Sequence, residues 1–226
     1  MILQIPDGFP PEYMNTIDLY LWIASLLVGL IGAFLFLKRR KASEIDIQRD
    51  LYFGLALFLF LFSLMRIAYI LSVKLPFEDP GKDYDFYTSL GYVFGLAGLG
   101  GFLYGIERSI ITKTKHLLTI FTYVVVVLGA LSAFNVFDRS ISMSATYAVV
   151  ILDTLIMMIL YLWLVKKTTG IIRKRTFIAF LGIVMLFAST MLDSQAAFSL
   201  APGLNLLIAP IIATVGIAII VYVQRF

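Results

Sequence analysis

Two charged residues inside apolar runs are the strongest candidates for chemistry in this chain. Arg66 lies in FLFSLMRIAYIL and Asp153 lies in VVILDTLIMM. A charge at membrane depth is costly unless it is paired, so such residues usually mark a functional site. Each lies about seven residues below the outer end of its predicted span, which is roughly 10 Å at 1.5 Å per residue. The matched depths predict an ion pair, with Tyr69, one turn above Arg66, as a hydrogen-bond partner.

The sequence leaves the role of this pair open. It is either a structural lock that holds two helices in register or part of a ligand-binding or proton site. In a third interpretation, the arginine side chain extends outward beside Tyr69 to reach the membrane interface.

Further polar residues collect towards the same side of the membrane. Asp193 lies near the outer end of the sixth predicted span, in ASTMLDSQAAF. Asn205 begins the last span, where Pro210 could leave a backbone carbonyl exposed to a cavity. With Arg66 and Asp153, these residues predict a polar outer half above an apolar inner half, and therefore a cavity open to the outside.

The elements that must position these residues are membrane helices. The chain has 226 residues, of which 61% are hydrophobic and 14% charged, whereas a soluble domain is about 25% charged. The fold class is therefore all-α: one domain over residues 1–226, formed by a bundle of seven transmembrane helices. The predicted spans are 17–37, 51–73, 86–106, 117–134, 146–165, 176–195 and 205–223.

The third span, FYTSLGYVFGLAGLGGFLYGI, is rich in glycine. Small residues four positions apart let the backbones of neighbouring membrane helices come close. The spacing therefore predicts that this helix packs at the centre of the bundle through Gly91, Gly95, Gly98, Gly101 and Gly105.

Basic residues are divided unequally between the predicted loops. Loops 38–50, 107–116 and 166–175 and the C-terminus hold fourteen Lys and Arg, and the opposite side holds three. The positive-inside rule then places the N-terminus outside and the C-terminus in the cytoplasm, in a multi-pass protein of the cell membrane. Anionic lipid of the inner leaflet is a sufficient partner for the basic face, so nucleic acid is not required. A protein partner at these loops and a homo-oligomer are both left open.

Several classes of chemistry lack the residues they need. The chain has no cysteine and one histidine, so neither a metal site nor a nucleophilic relay is expected. Paired catalytic carboxylates and a phosphate-binding loop are also missing, which argues against an enzyme. The last span contains no lysine, so a retinal Schiff base cannot form, and no cofactor is expected.

Residues 91–122, GYVFGLAGLGGFLYGIERSIITKTKHLLTIFT, carry a resemblance, to which MRIAYI at 65–70 adds. The chain resembles uncharacterised archaeal seven-helix membrane proteins and, more loosely, the seven-helix sensor regions that precede some histidine kinases. The shared features are the glycine-rich span, the Glu107-Arg108 pair at its inner end and the TKTKH segment. The resemblance implies a sensing or small-ligand-binding input module. No kinase domain follows, so the output would pass to a separate partner.

The preferred functional interpretation is accordingly a receptor-like or sensor-like protein. It would bind a small ligand in the outward-facing cavity and signal through a partner at its basic loops. Two other classes are kept beside it: a transporter or channel for a small solute, proton or ion, and a structural subunit of a membrane complex.

Overall fold

The residues that the structure describes form seven α-helices. The computed structural model describes the backbone of residues 12–74, 80–193 and 204–223, and the side chains of residues 16–72, 85–193 and 206–223. In order, the helices are α1 (Glu12–Ala42), α2 (Asp46–Lys74), α3 (Pro80–Ser109), α4 (Leu117–Ala133), α5 (Arg139–Lys167), α6 (Gly170–Leu192) and α7 (Leu204–Val223), with a 3₁₀ turn at Thr112–Thr114 before α4. The described residues contain no strand, which confirms the all-α class.

Six of the helices are long and apolar enough to cross a membrane, as in a multi-pass membrane protein. The exception is α4, an apolar helix of 17 residues, which is about 25 Å long at 1.5 Å per residue. Several helices extend beyond the predicted spans. The largest difference is at α5, which begins at Arg139 and not near residue 146, because Asp138 caps it by accepting a hydrogen bond from the backbone N–H of Ile141 at 3.0 Å.

The helices pack in two groups. The first comprises Gly29–Trp163 and contains α2, α3, α4 and most of α5. The second comprises Met1–Val28 with Leu164–Phe226 and contains α6 and α7.

In the first group, α2 lies antiparallel on the glycine residues of α3. A Cβ atom placed on Gly105 would lie 2.8 Å from the backbone oxygen of Asp50, so the two backbones are in direct contact there. Towards the other end, side chains of α2 fill the space that the glycines leave. These contacts join Leu57 to Gly101, Leu61 to Gly98, Met65 to Gly95 and Tyr69 to Gly91.

The opposite side of α3 packs against α4, again antiparallel. Contacts follow the whole length of α4, from Glu107 against Thr119 near one end to Phe86 against Phe134 at the other. Between them, Gly100 faces Thr122 and Tyr123, and Val93 faces Gly129. Packing on two sides makes α3 the most enclosed candidate span, with 61% of its most apolar window buried.

Contacts between α3 and α5 show that these two helices run parallel. Arg139, the first residue of α5, pairs with Asp85 in the second turn of α3. Further along, the Tyr92 and Tyr147 hydroxyls share a hydrogen bond of 2.7 Å, and the rings of Phe102 and Tyr161 are 6.2 Å apart. The intervening α4 therefore returns the chain to the end of α3 from which it started.

In the second group, α6 and α7 meet through a pair of glycines. A Cβ placed on Gly182 would lie 2.9 Å from the Gly216 carbonyl oxygen, and one placed on Gly216 would lie 2.8 Å from the Gly182 oxygen. A single glycine on each helix is enough for this close approach, so a search for glycine repeats within one span does not find it.

Candidate functional site: a buried polar face between α3, α4 and α5

Asp153 lies at the middle of α5, fourteen residues from each end of Arg139–Lys167. Arg66 lies only eight residues from the Lys74 end of α2. Because α5 starts earlier than the sequence suggested, the expected match in depth is lost. Counted from these helix ends, the two positions differ by six residues, which is about 9 Å along a helix at 1.5 Å per residue.

The partner of Asp153 is a hydroxyl on α4. The Thr122 Oγ1 donates a hydrogen bond to Asp153 Oδ2 at 2.8 Å, and its side chain is also 3.0 Å from the Leu118 carbonyl oxygen. Asp153 is 1% exposed and Thr122 is 0% exposed. In the part of the chain that the structure describes, no ion pair joins Asp153 to Arg66, so the predicted pairing is not present. A ligand-binding role for either residue stays a prediction.

Arg66 is buried among aromatic rings of its own helix. Its guanidinium carbon lies 5.1 Å from the centre of the Phe62 ring and 5.8 Å from that of Tyr69. Arginine over an aromatic face gains electrostatic attraction to the ring, more so when desolvated. Tyr69 is therefore beside Arg66, as the sequence suggested, but through its ring. With 2% exposure, the arginine does not extend to solvent.

A second buried carboxylate stabilises the start of α4. Glu107 accepts hydrogen bonds from the backbone N–H groups of Leu118 at 3.1 Å and Thr119 at 2.8 Å, and from the Thr119 hydroxyl at 2.5 Å. A carboxylate at a helix N-terminus satisfies the free N–H groups and favours the helix dipole. The neighbouring Arg108 instead forms an ion pair with Asp50 at 2.9 Å, whereas Glu107 is a helix cap.

Further hydroxyl groups lie along α3, α4 and α5, towards the end of α3 that is opposite to Glu107. A cavity of about 10 Å³ is lined there by Ser89, Tyr92, Gly129, Ser132, Ser142, Met143 and Thr146. That volume is about enough for one water molecule. The Ser132 hydroxyl is buried with no hydrogen-bond partner among the described residues, so it can bind such a water. The buried Val125 and Val149 lie between this cavity and Asp153 along α4 and α5.

We call the whole set the polar face: Glu107 on α3, the cavity hydroxyls, and the buried residues Thr119, Thr122 and Asp153. It places polar groups along these helices, from the cavity hydroxyls through Asp153 at the middle of α5 to Glu107 near the end of α3. Thr122 and Thr119 were missed by sequence reasoning. Their signal was their spacing, since positions three and four apart share one face of a helix.

The remaining candidates lie elsewhere. Asp193 is exposed and ends α6, and the side chain of Asn205 lies outside the described residues, so the predicted outer cavity stays a prediction. Within the described ranges, no group of three His, Asp or Glu side chains is placed to hold a metal ion.

Comparison with known proteins places the chain in no family. No family model, no curated protein and no solved structure matches it. The geometry of the buried residues must therefore carry the functional argument.

Proposed function

We propose that this protein crosses the cell membrane seven times, with its N-terminus outside. The support is the parallel course of α3 and α5. Two parallel neighbours that both cross a bilayer need the connecting helix to cross it in the opposite direction. At 17 residues, α4 lies at the short end of the usual range of about 17–25 residues.

The distribution of basic residues favours the same topology. With seven spans, fourteen Lys and Arg lie on one side and three on the other. If α4 did not cross, the loop 166–175 and the C-terminus would change sides, and the division would become nine against eight. Only the seven-span arrangement keeps the bias that orients membrane proteins.

The absence of cysteine from the sequence allows a direct topology test. Val136 is exposed just after α4 and Lys113 just before it. In sealed cells, Val136→Cys should react with a membrane-impermeant maleimide, whereas Lys113→Cys should react only after permeabilisation. The same accessibility at both positions would show that α4 does not cross.

For function, we propose a proton-linked membrane protein of the transporter or channel class, with Asp153 as the proton-binding group. The observation that carries this proposal is a carboxylate at the centre of a candidate span, held by Thr122 and joined to no Lys or Arg of the described chain. Intramembrane carboxylates of this kind mark proton relays and ion pathways. The cavity on the far side of Val125 and Val149 has room for about one water molecule, which favours a proton over a small organic ligand.

The experiment is proton flux into liposomes that contain the purified protein and a pH-sensitive dye. Asp153→Asn keeps the size of the side chain and an oxygen that accepts from Thr122, but it cannot bind and release a proton. We expect flux in the wild type and its loss in this variant. Asp46→Asn is the control, since this carboxylate is solvent-exposed and pairs with Arg49.

Equal flux with and without the Asp153 carboxylate would contradict the proposal. Absence of flux in the wild type, with a pH-dependent change of structure that requires Asp153, would instead favour the sensor interpretation. In that case the proton would act as the signal that a separate partner reads.

A further inference from the structure

The turn between α5 and α6 differs from the other basic loops in its charge balance. The helix ends on either side of it carry Lys166, Lys167, Arg173, Lys174 and Arg175, and no Asp or Glu occurs between residues 154 and 192. In the loops on the same predicted side, acids are interspersed and form ion pairs. Arg49 binds Asp46 at 3.3 Å and Arg108 binds Asp50 at 2.9 Å. No acid close in sequence can pair with Arg173 or Lys174 in this way.

This turn also forms an open cavity of about 410 Å³. It is lined by Val165 at the end of α5 and by Gly170, Arg173, Lys174 and Phe177 of α6. Arg173 and Lys174 are exposed and make no ion pair with the described part of the chain. Two cations therefore share the cavity with two apolar side chains, Val165 and Phe177.

The position of the cavity limits what can occupy it. Both α5 and α6 are candidate spans, so the turn that joins them lies at a membrane surface. The apolar residues around it, Ile171 and Ile172, are 71% and 63% exposed. An occupant must combine a negative head with an apolar body, because both kinds of surface are present within one turn of helix.

We propose that this cavity binds one anionic phospholipid. Arg173 and Lys174 contact the phosphate, and Val165 and Phe177 contact the first part of an acyl chain. Arginine and lysine both bind phosphate oxygens through charge-assisted hydrogen bonds. The site requires only that α5 and α6 cross the membrane, so it is independent of the proposed proton function and of which side the turn faces.

The test is lipid binding to the full-length protein in detergent, measured by native mass spectrometry during titration with phosphatidylglycerol or phosphatidylcholine. We expect phosphatidylglycerol to bind more tightly. A basic residue near a membrane surface contributes about 5-fold to anionic lipid binding, so the double variant Arg173→Gln, Lys174→Gln should weaken it by roughly 25-fold. The double variant Arg173→Lys, Lys174→Arg keeps both charges and should retain most of the binding.

The matched control removes two charges from another loop on the same predicted side. Lys113→Gln with Lys115→Gln should leave binding of phosphatidylglycerol nearly unchanged. An equal loss in this control would show a general surface-charge effect and overturn the proposal. Inorganic phosphate that binds as tightly as phosphatidylglycerol would also overturn it, because the apolar walls would then contribute nothing to lipid binding. Unchanged binding in the Arg173 and Lys174 double variant would contradict it directly.

Discussion

The two sides of α3 make contacts of different kinds, through the backbone towards α2 and through polar side chains towards α4 and α5. Towards α2, glycine lets backbone meet backbone, and the contacts at Gly105 and Gly98 include the main-chain oxygens of Asp50 and Phe58. Towards α4 and α5, the buried groups include carboxylates and hydroxyls, and α4 and α5 are joined through side chains such as Thr122 and Asp153. Close backbone packing fixes a distance, whereas a side-chain hydrogen bond can be broken and remade.

This difference suggests a division of roles. The α2–α3 contact is a rigid support, because no rotamer change can relieve a clash with backbone atoms. The polar face is where a change of protonation can alter the structure, because its helices are held by groups whose hydrogen bonds depend on charge. Substitutions on the two sides of α3 should therefore lower stability for different reasons: overpacking against backbone towards α2, and loss of hydrogen bonds towards α4 and α5.

The largest effect is expected on the rigid side, at Gly105. In Gly105→Leu the new side chain would meet the Asp50 carbonyl and the Gly54 Cα, neither of which can turn away. Overpacking of this kind costs about 3 kcal/mol, at the upper end of its usual range. Thermal unfolding in detergent should show a large drop for this variant.

Gly95→Ala is the comparison on the same face, since its Cβ would meet only the flexible tip of Met65. It should be much better tolerated than Gly105→Ala, the same chemical change against backbone. Equal tolerance of both alanine variants would show that the backbones of α2 and α3 can separate, and the rigid-support interpretation would fail.

A smaller effect is expected on the polar side, at Thr122. Thr122→Val keeps the shape but removes the donor to Asp153, and loss of one partner of a buried polar group costs about 1–3 kcal/mol. Thr122→Ser keeps the hydroxyl and should stay close to the wild type in the same unfolding assay. If valine and serine behave alike, the 2.8 Å hydrogen bond contributes nothing to holding α4 near α5.

The smallest effect is expected at the edge of the polar face, where the Tyr92 and Tyr147 hydroxyls share a hydrogen bond between α3 and α5. Tyr92→Phe should cost about 1 kcal/mol or less, since a net hydrogen bond contributes about that amount. Tyr147→Phe and the double variant complete a thermodynamic cycle. A coupling energy of zero would show that this hydrogen bond does not help to hold α5 on α3.

Composition and periodicity predicted the helical class and the positions of the helices, because long apolar runs have few alternatives in a membrane. They did not predict the partner of Asp153. That error arose because α5 begins at Arg139, seven residues before the predicted start, where Asp138 caps the helix. The role of Glu107 was also hidden, since a carboxylate next to Arg108 suggests an ion pair, and only the fold brings the first turn of α4 to it.

The polar residues of α4 were hidden for another reason. Thr119 and Thr122 are common in apolar membrane helices, where a hydroxyl often bonds to its own backbone. Thr122 lies within reach of such a bond to Leu118, and its second contact, to Asp153, depends on how α5 packs. Spacing within one helix places Thr119 and Thr122 on a common face, but it does not identify the residue that this face contacts.

Infrared difference spectra between acidic and alkaline samples of the reconstituted protein measure directly whether Asp153 binds and releases a proton, through the C=O band of a protonated carboxylic acid. We expect a pH-dependent band in the wild type that is missing in Asp153→Asn and displaced in Thr122→Val, where the hydrogen bond to the carboxyl group is lost. Identical pH-difference spectra for the wild type and Asp153→Asn would contradict the proposed role of Asp153.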